Sequence, residues 1–209
     1  MMPLPMSRRT LLGQLAAMSL AAVQLSGAPA VLAMDRHPVL AAPAADVWET
    51  LAAGGQVVLI RHAEAPGVGD PANFTLGDCS TQRNLSDGGR AQAERLGATF
   101  RERGVTVEQV LTSGWCRCMD TGTLAFGMAD VWPPLNSFFR DASTNATQTA
   151  EVRARIAAWA GPGTLALVTH QVNITALTDI YPASGEIVAL TPAPDRAAGF
   201  SIAGRAIIP

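Results

Sequence analysis

The sequence contains no lysine, so any anion site in it must be built from arginine, histidine or backbone donors. Histidine is scarce too. His37 stands in a segment of prolines and alanines and reads as inert, which leaves His62 and His170 for chemistry. Cysteine is limited to Cys79, Cys116 and Cys118. A zinc centre needs a fourth ligand and the familiar paired spacing, and the chain offers neither, so no metal and no cofactor is expected. Long apolar runs are also missing: Leu11 to Leu25, interrupted by Gly13, Gln14, Ser19 and Gln24, is too short to span a bilayer comfortably. The formal charge of −2 gives no general attraction to nucleic acid or anionic membranes, and loss of Arg8 and Arg9 would make the chain more acidic still.

What is present begins with an export pattern. Ser7-Arg8-Arg9-Thr10-Leu11-Leu12 leads into the apolar run, and the small residues Ala28-Pro29-Ala30 and Val31-Leu32-Ala33 follow it. That order fits a secretory leader cleaved after Ala30 or Ala33, and the paired arginines suggest the twin-arginine route. The expected organisation is a cleavable signal over 1–33, a linker over 34–44 and one folded domain over 45–209. The mature protein is then periplasmic or secreted, with no stable membrane span after processing, and the leader's partner is the export machinery. Such a compartment permits a disulfide. Cys116 and Cys118 are too close to pair easily with each other, so the expected bridge joins Cys79 to Cys116 or Cys118 and leaves one thiol over.

Along the folded part, helical and strand patterns alternate. Asp46 to Ala53 predicts a short helix, and Gln56 to Ile60 a strand buried on both faces that runs into Arg61-His62-Ala63-Glu64. The Gly-, Pro- and Asp-rich stretch from Ala65 to Gln82 predicts a long surface loop. Ser86 caps a helix that Gly104 stops. Val107 to Thr112 predicts a second strand, with Ser113 to Arg117 just beyond it opening a helix towards Phe126-Gly127. The segment from Trp132 to Thr149 shows no period and reads as a loop or lid, with Trp132, Phe138 and Phe139 as candidates for its entrance. Glu151 to Ala160 predicts an amphipathic helix. Thr164 to Thr169 predicts a third strand with His170 at its end, before a helix through Ile180. Glu186 to Leu190 and Gly199 to Ile208 read as closing strands, the last broken near Gly204 and at a sheet edge. The alternation predicts an α/β domain with a mainly parallel sheet.

His62 and His170 each follow a buried strand directly, and Arg61 and Arg117 occupy equivalent positions. In open α/β sheets the ligand crevice lies beyond the carboxyl ends of the strands. If those ends adjoin, two imidazoles and two guanidiniums meet around one anion. Arginine matches a phosphate or a carboxylate with paired donors, and a nearby imidazole can attack phosphorus and become covalently modified.

These residues resemble the histidine phosphatase superfamily, which includes phosphoglycerate mutases and many phosphomonoesterases. Leu59 to Glu64 is similar to its first signature, with Ala63 where glycine is usual. Leu85-Ser86, Gly89 and Gln92-Ala93 resemble its first helix entry. Ser113 with Arg117 and Thr121 resembles its second arginine segment, and Leu167 to His170 its second histidine segment. The resemblance covers most of the mature chain and implies a three-layer α/β/α sandwich of the phosphoglycerate-mutase type. It also implies His62 as the phosphorylated nucleophile, with Arg61, Arg117 and His170 holding the phosphoryl group. Arg83, just before the Leu85-Ser86 segment, is a further candidate for substrate binding. The proton donor is harder to place. Gln171 follows His170 where some family members carry an acid, which leaves Glu64, Asp141 and Glu151 as candidates. The function expected is hydrolysis of a small phosphorylated substrate, a phosphomonoester, through a phosphohistidine. The alternative is a non-catalytic phospholigand-binding protein of the same fold.

Overall fold

Val57 to Arg61 form strand β1, and its first four side chains are buried, because a strand that is apolar on both faces needs cover on both. The computed structural model describes residues 46–208. The expected signal, its cleavage site, the linker and His37 lie outside the described residues. Helix α1 (Val47–Ala52) precedes β1, and α2 (Asp87–Glu102), β2 (Val107–Thr112), α3 (Cys116–Phe126) and β3 (Asp130–Val131) follow it. Then come α4 (Asn145–Ala157), β4 (Thr164–Thr169), α5 (Gln171–Thr178), β5 (Ile187–Pro192) and β6 (Phe200–Ala206).

The strands form one sheet in the order β3-β2-β4-β1-β5-β6. The pairs β2/β3, β2/β4 and β1/β4 are parallel, whereas β5 and β6 close the sheet antiparallel. Alternate side chains of β1 enter different layers. Val58 and Ile60 pack with Leu96, Phe100 and Ala125 from α2 and α3, while Val57 and Leu59 pack with Val152, Ile156, Ile174 and Leu177 from α4 and α5. The architecture is the expected α/β/α sandwich, with β6 at the edge and its pairing with β5 shifted beside Gly204.

Local signals explain most boundaries. Asp46 caps α1 by accepting from Trp48 N, Ser86 Oγ caps α2 by accepting from Gly89 N, and Gly127 ends α3 in the left-handed conformation. Strand ends shift by one or two residues from the sequence expectation, and the larger differences fall in α4, α5 and β3. Helix α4 starts at Asn145, inside the segment expected to be irregular, and ends at Ala157 rather than Ala160. Its polar first turns carry no apolar stripe. They are tied down instead by Gln148 Nε2, which donates to the carbonyls of Asn136 and Pro134 at 2.8 and 3.1 Å. Helix α5 stops at Thr178, where Asp179 turns left-handed, and β3 is too short and exposed to show a period.

Helices α2 and α3 touch at Gly97, where a Cβ would lie 1.9 Å from the carbonyl oxygen of Ala125. Backbone cannot yield as a side chain does. Gly97→Ala is therefore expected to lower stability by about 2 kcal/mol despite alanine's better helix propensity, as read by urea denaturation. An unchanged midpoint would show that the two helices separate freely.

Candidate active site

The ladder between β1 and β4 ends with Arg61 opposite Thr169, and His62 N then donates to Thr169 O at 3.0 Å. His62 and His170, each the first residue beyond its strand, therefore stand side by side. Their rings are 5.5 Å apart, centroid to centroid, and inclined at 68°. On the other side of β4, Ser113 N donates to Val168 O at 3.0 Å, which brings the start of α3 to the same edge. Three strand ends thus open on one cavity of about 450 Å³.

That cavity is lined by His62, His170, Arg61, Arg83 and Arg117, so the residues expected to meet do meet. Both histidines are buried, and the hydrogen bonds define their tautomers. His62 Nδ1 lies 2.8 Å from the carbonyl oxygen of Ala63, which only accepts, so Nδ1 carries the proton and Nε2 keeps its lone pair. For His170, Arg117 Nη2 donates to Nδ1 at 3.5 Å, and Nε2 donates to Ser113 Oγ at 2.8 Å. Burial, followed by the cations of Arg117, Arg83 and Arg61, pulls His62 down to about 3 despite its bond to Ala63. Burial and the neighbouring His62 and arginines take His170 well below its usual range. Both rings are neutral at neutral pH.

The arginines are held by acceptors that the sequence did not reveal. Asp70, in the loop after His62, forms a buried two-toothed ion pair with Arg117, Nη1 to Oδ1 at 2.8 Å and Nη2 to Oδ2 at 3.3 Å. Its oxygens also accept from Trp115 Nε1 at 3.0 Å and from the backbone N of Arg83 at 3.2 Å. Burial alone would raise the Asp70 carboxyl, but these donors hold it below its usual range. Arg83 donates to the carbonyls of Gly69 and Ala65, and Arg61 donates to Pro182 O at 2.8 Å. Two donors remain over: Nε of Arg61 and Nε of Arg117 are buried with no hydrogen-bond partner.

The acid candidates separate. Asp141 lines the cavity, but it is exposed and accepts from Ser143 N at 3.0 Å. Glu151 borders a different depression. Glu64 points to the start of α2, where it accepts from Ser86 Oγ at 2.8 Å. Phe139 lines the entrance as expected, joined by Arg140, whereas Phe138 is buried and Trp132 packs against the apolar layer under α4 and α5. The disulfide joins Cys79 to Cys116, and the left-over Cys118 is buried. Among the described residues no cluster of His, Cys, Asp and Glu is placed to hold a metal ion, and no helix is long and apolar enough to cross a membrane.

The neutral rings have a consequence for stability. Unfolded, a histidine titrates near ~6.5, whereas His62 in the fold protonates only at about 3. Between those values the unfolded chain binds protons that the native state does not. Stability is therefore complete above the unfolded value and falls as pH drops through the window, by up to about 1.4 kcal/mol per pH unit for each histidine. Urea midpoints at pH 7 and pH 5 measure the fall, and equal midpoints would mean that the rings are already charged in the fold.

No protein-family model and no curated protein matches this sequence. Solved structures do match. The product of open reading frame Rv3214 from Mycobacterium tuberculosis has a TM-score of 0.53 at 16% identity, covering 73% of this chain and 97% of its own. A candidate alpha-ribazole-5'-P phosphatase from Escherichia coli has a TM-score of 0.52 at 16% identity, covering 70% and 93%. The alpha-ribazole phosphatase from Shigella flexneri has a TM-score of 0.50 at 15% identity, covering 70% and 94%. At such identities the likeness is one of fold.

Proposed function

We propose that this chain, which has the fold of the histidine phosphatases, is a phosphomonoester hydrolase that forms a phosphohistidine on His62. The observation that carries the reading is a neutral imidazole, with its Nε2 lone pair free, in one cavity with the guanidiniums of Arg61, Arg83 and Arg117. Guanidinium groups bind phosphoryl oxygens through paired, charge-assisted donors. Alpha-ribazole phosphatase activity in a protein of like fold is consistent with this reading.

In this mechanism Nε2 of His62 attacks phosphorus, and Arg61 and Arg117 hold the oxygens as charge develops on them. His170, expected to hold them too, has its Nε2–H on Ser113 Oγ and instead accepts from Arg117 Nη2 through Nδ1, which orients that guanidinium. Arg83, with its side chain at the same wall, adds positive potential. Burial strengthens each of these contacts relative to water. Water then attacks the phosphohistidine and releases phosphate. We propose further that the mature protein is periplasmic or secreted, a reading that the leader pattern supports and with which the Cys79–Cys116 bridge is compatible.

Brief incubation with labelled phosphomonoester, followed by alkaline quench, should leave acid-labile label on His62. His62→Ala should abolish both label and turnover, a loss of at least about a thousandfold. A His62→Ala variant with undiminished turnover rules the mechanism out. Phosphate binding without label or turnover would point instead to a non-catalytic binder.

A further inference from the structure

We infer that the substrates of this site are aryl phosphomonoesters, whose leaving oxygen departs as a phenolate and takes no proton from the protein. The inference rests on the phosphohistidine reading and names its substrate class.

The first observation concerns acids. A general acid must present a proton to the leaving oxygen. Asp70 lines the cavity, yet four donors occupy its two oxygens: Arg117 Nη1 and Arg83 N on Oδ1, and Arg117 Nη2 and Trp115 Nε1 on Oδ2. A carboxylate so saturated has no room for a proton. Asp141 accepts from Ser143 N at 3.0 Å, and its hydrogen bonds from Ser143 hold its carboxyl below the usual range, so it carries no proton at neutral pH; Glu64 and Glu151 lie outside the cavity. The Nε2 proton of His170 is directed at Ser113 Oγ. With no carboxylic acid or imidazolium among the described residues free to protonate it, the leaving oxygen must be a weak base of its own accord. Phenolic oxygens meet that condition and aliphatic ones do not.

The second observation concerns shape. Phe74 stacks on Trp115, with centroids 5.1 Å apart and planes inclined at 18°, and the Trp115 ring stands edge-on to His170 at 5.3 Å. These rings form one wall above the arginines. Phe139, 60% exposed, and Val68, 89% exposed, also line the cavity, and such large apolar side chains in water suit an apolar, planar ligand.

The step balances without a co-reactant other than water. The Nε2 lone pair forms the N–P bond as the P–O(aryl) bond breaks, and its electron pair leaves on the phenolate, which is protonated by solvent according to its own pKa. The oxygen of water then bonds to phosphorus, the N–P bond breaks, and its pair returns to Nε2. The water proton goes to solvent, and the products are a phenol and inorganic phosphate.

The test uses the full chain and ring-substituted phenyl phosphates whose phenols extend about three pKa units below tyrosine's ~10. The value of kcat/KM should rise about a hundredfold towards the most acidic phenol, and alkyl phosphates should be slower than any member of the series. Phe139→Ala should cost about fivefold more on phenyl phosphates than on acetyl phosphate, which has a good leaving group and no ring. A flat dependence on phenol pKa, or alkyl phosphates turned over as fast as phenyl phosphate, would reveal a proton donor and overturn the inference. An equal loss on both substrates in Phe139→Ala would show that Phe139 makes no contact with an aryl ring and would count against a planar ligand. Failure of the underlying reading looks different, because then neither aryl phosphate nor acetyl phosphate would label His62.

Discussion

The register between β1 and β4 is the constraint on which the site depends. The strands run parallel, with Arg61 opposite Thr169, so the next residue of each is a histidine at the same height. A slip of one position would displace one imidazole by about 3.3 Å and turn it to the other face. Both strands are buried throughout their apolar run, so hydrophobic alternation alone does not fix that register. The far end does. Gly55 N donates to the carbonyls of Pro162 and Gly163, and a Cβ on Gly54, whose φ is +77°, would lie 2.1 Å from Pro162 O. The glycines ahead of β1 and β4 set two chains against each other, and the imidazoles inherit the alignment.

Once the strand ends meet, electrostatics becomes the problem. Arg61, Arg83 and Arg117 share one edge of the sheet, and each lies in the field of the others. Arg117 is almost wholly buried, and a buried cation costs several kcal/mol unless it is paired and hydrogen-bonded. Asp70 provides that pairing with both oxygens, which fixes the guanidinium plane. The same crowd of cations, added to burial, keeps both imidazoles neutral. One arrangement therefore both positions the anion ligands and preserves the nucleophile's lone pair.

How much of this was legible in the sequence follows from where each residue stands. Arg61, His62, Arg117 and His170 stand at or just beyond β-strands whose Val, Leu and Ile runs are evident in one dimension, so both their place and their convergence could be read. Asp70 and Phe74 sit in a loop with no period, and their positions are set by contacts with Trp115 and Arg117 some forty residues later. One signal for Asp70 was present. The strand ends gather several cations and no counter-charge, and a buried arginine calls for a carboxylate from the nearest unassigned loop. The start of α4 was hidden for another reason: its first turns are held by side-chain bonds from Gln148 rather than by an apolar stripe.

The disulfide completes the arrangement, because it joins the loop that carries Asp70 and Arg83 to the residue before Arg117. Linking positions 37 apart removes about 4 kcal/mol of chain entropy from the unfolded state in the loop-closure picture. Cys116 N also donates to Gln82 Oε1 at 3.0 Å, so the covalent tie is reinforced by a polar one. Thiol–disulfide exchange requires a thiolate, and burial pushes the Cys118 thiol up to about 12. A third cysteine two residues from the bridge thus stays inert, and the loop keeps the one connection that holds Asp70 against Arg117.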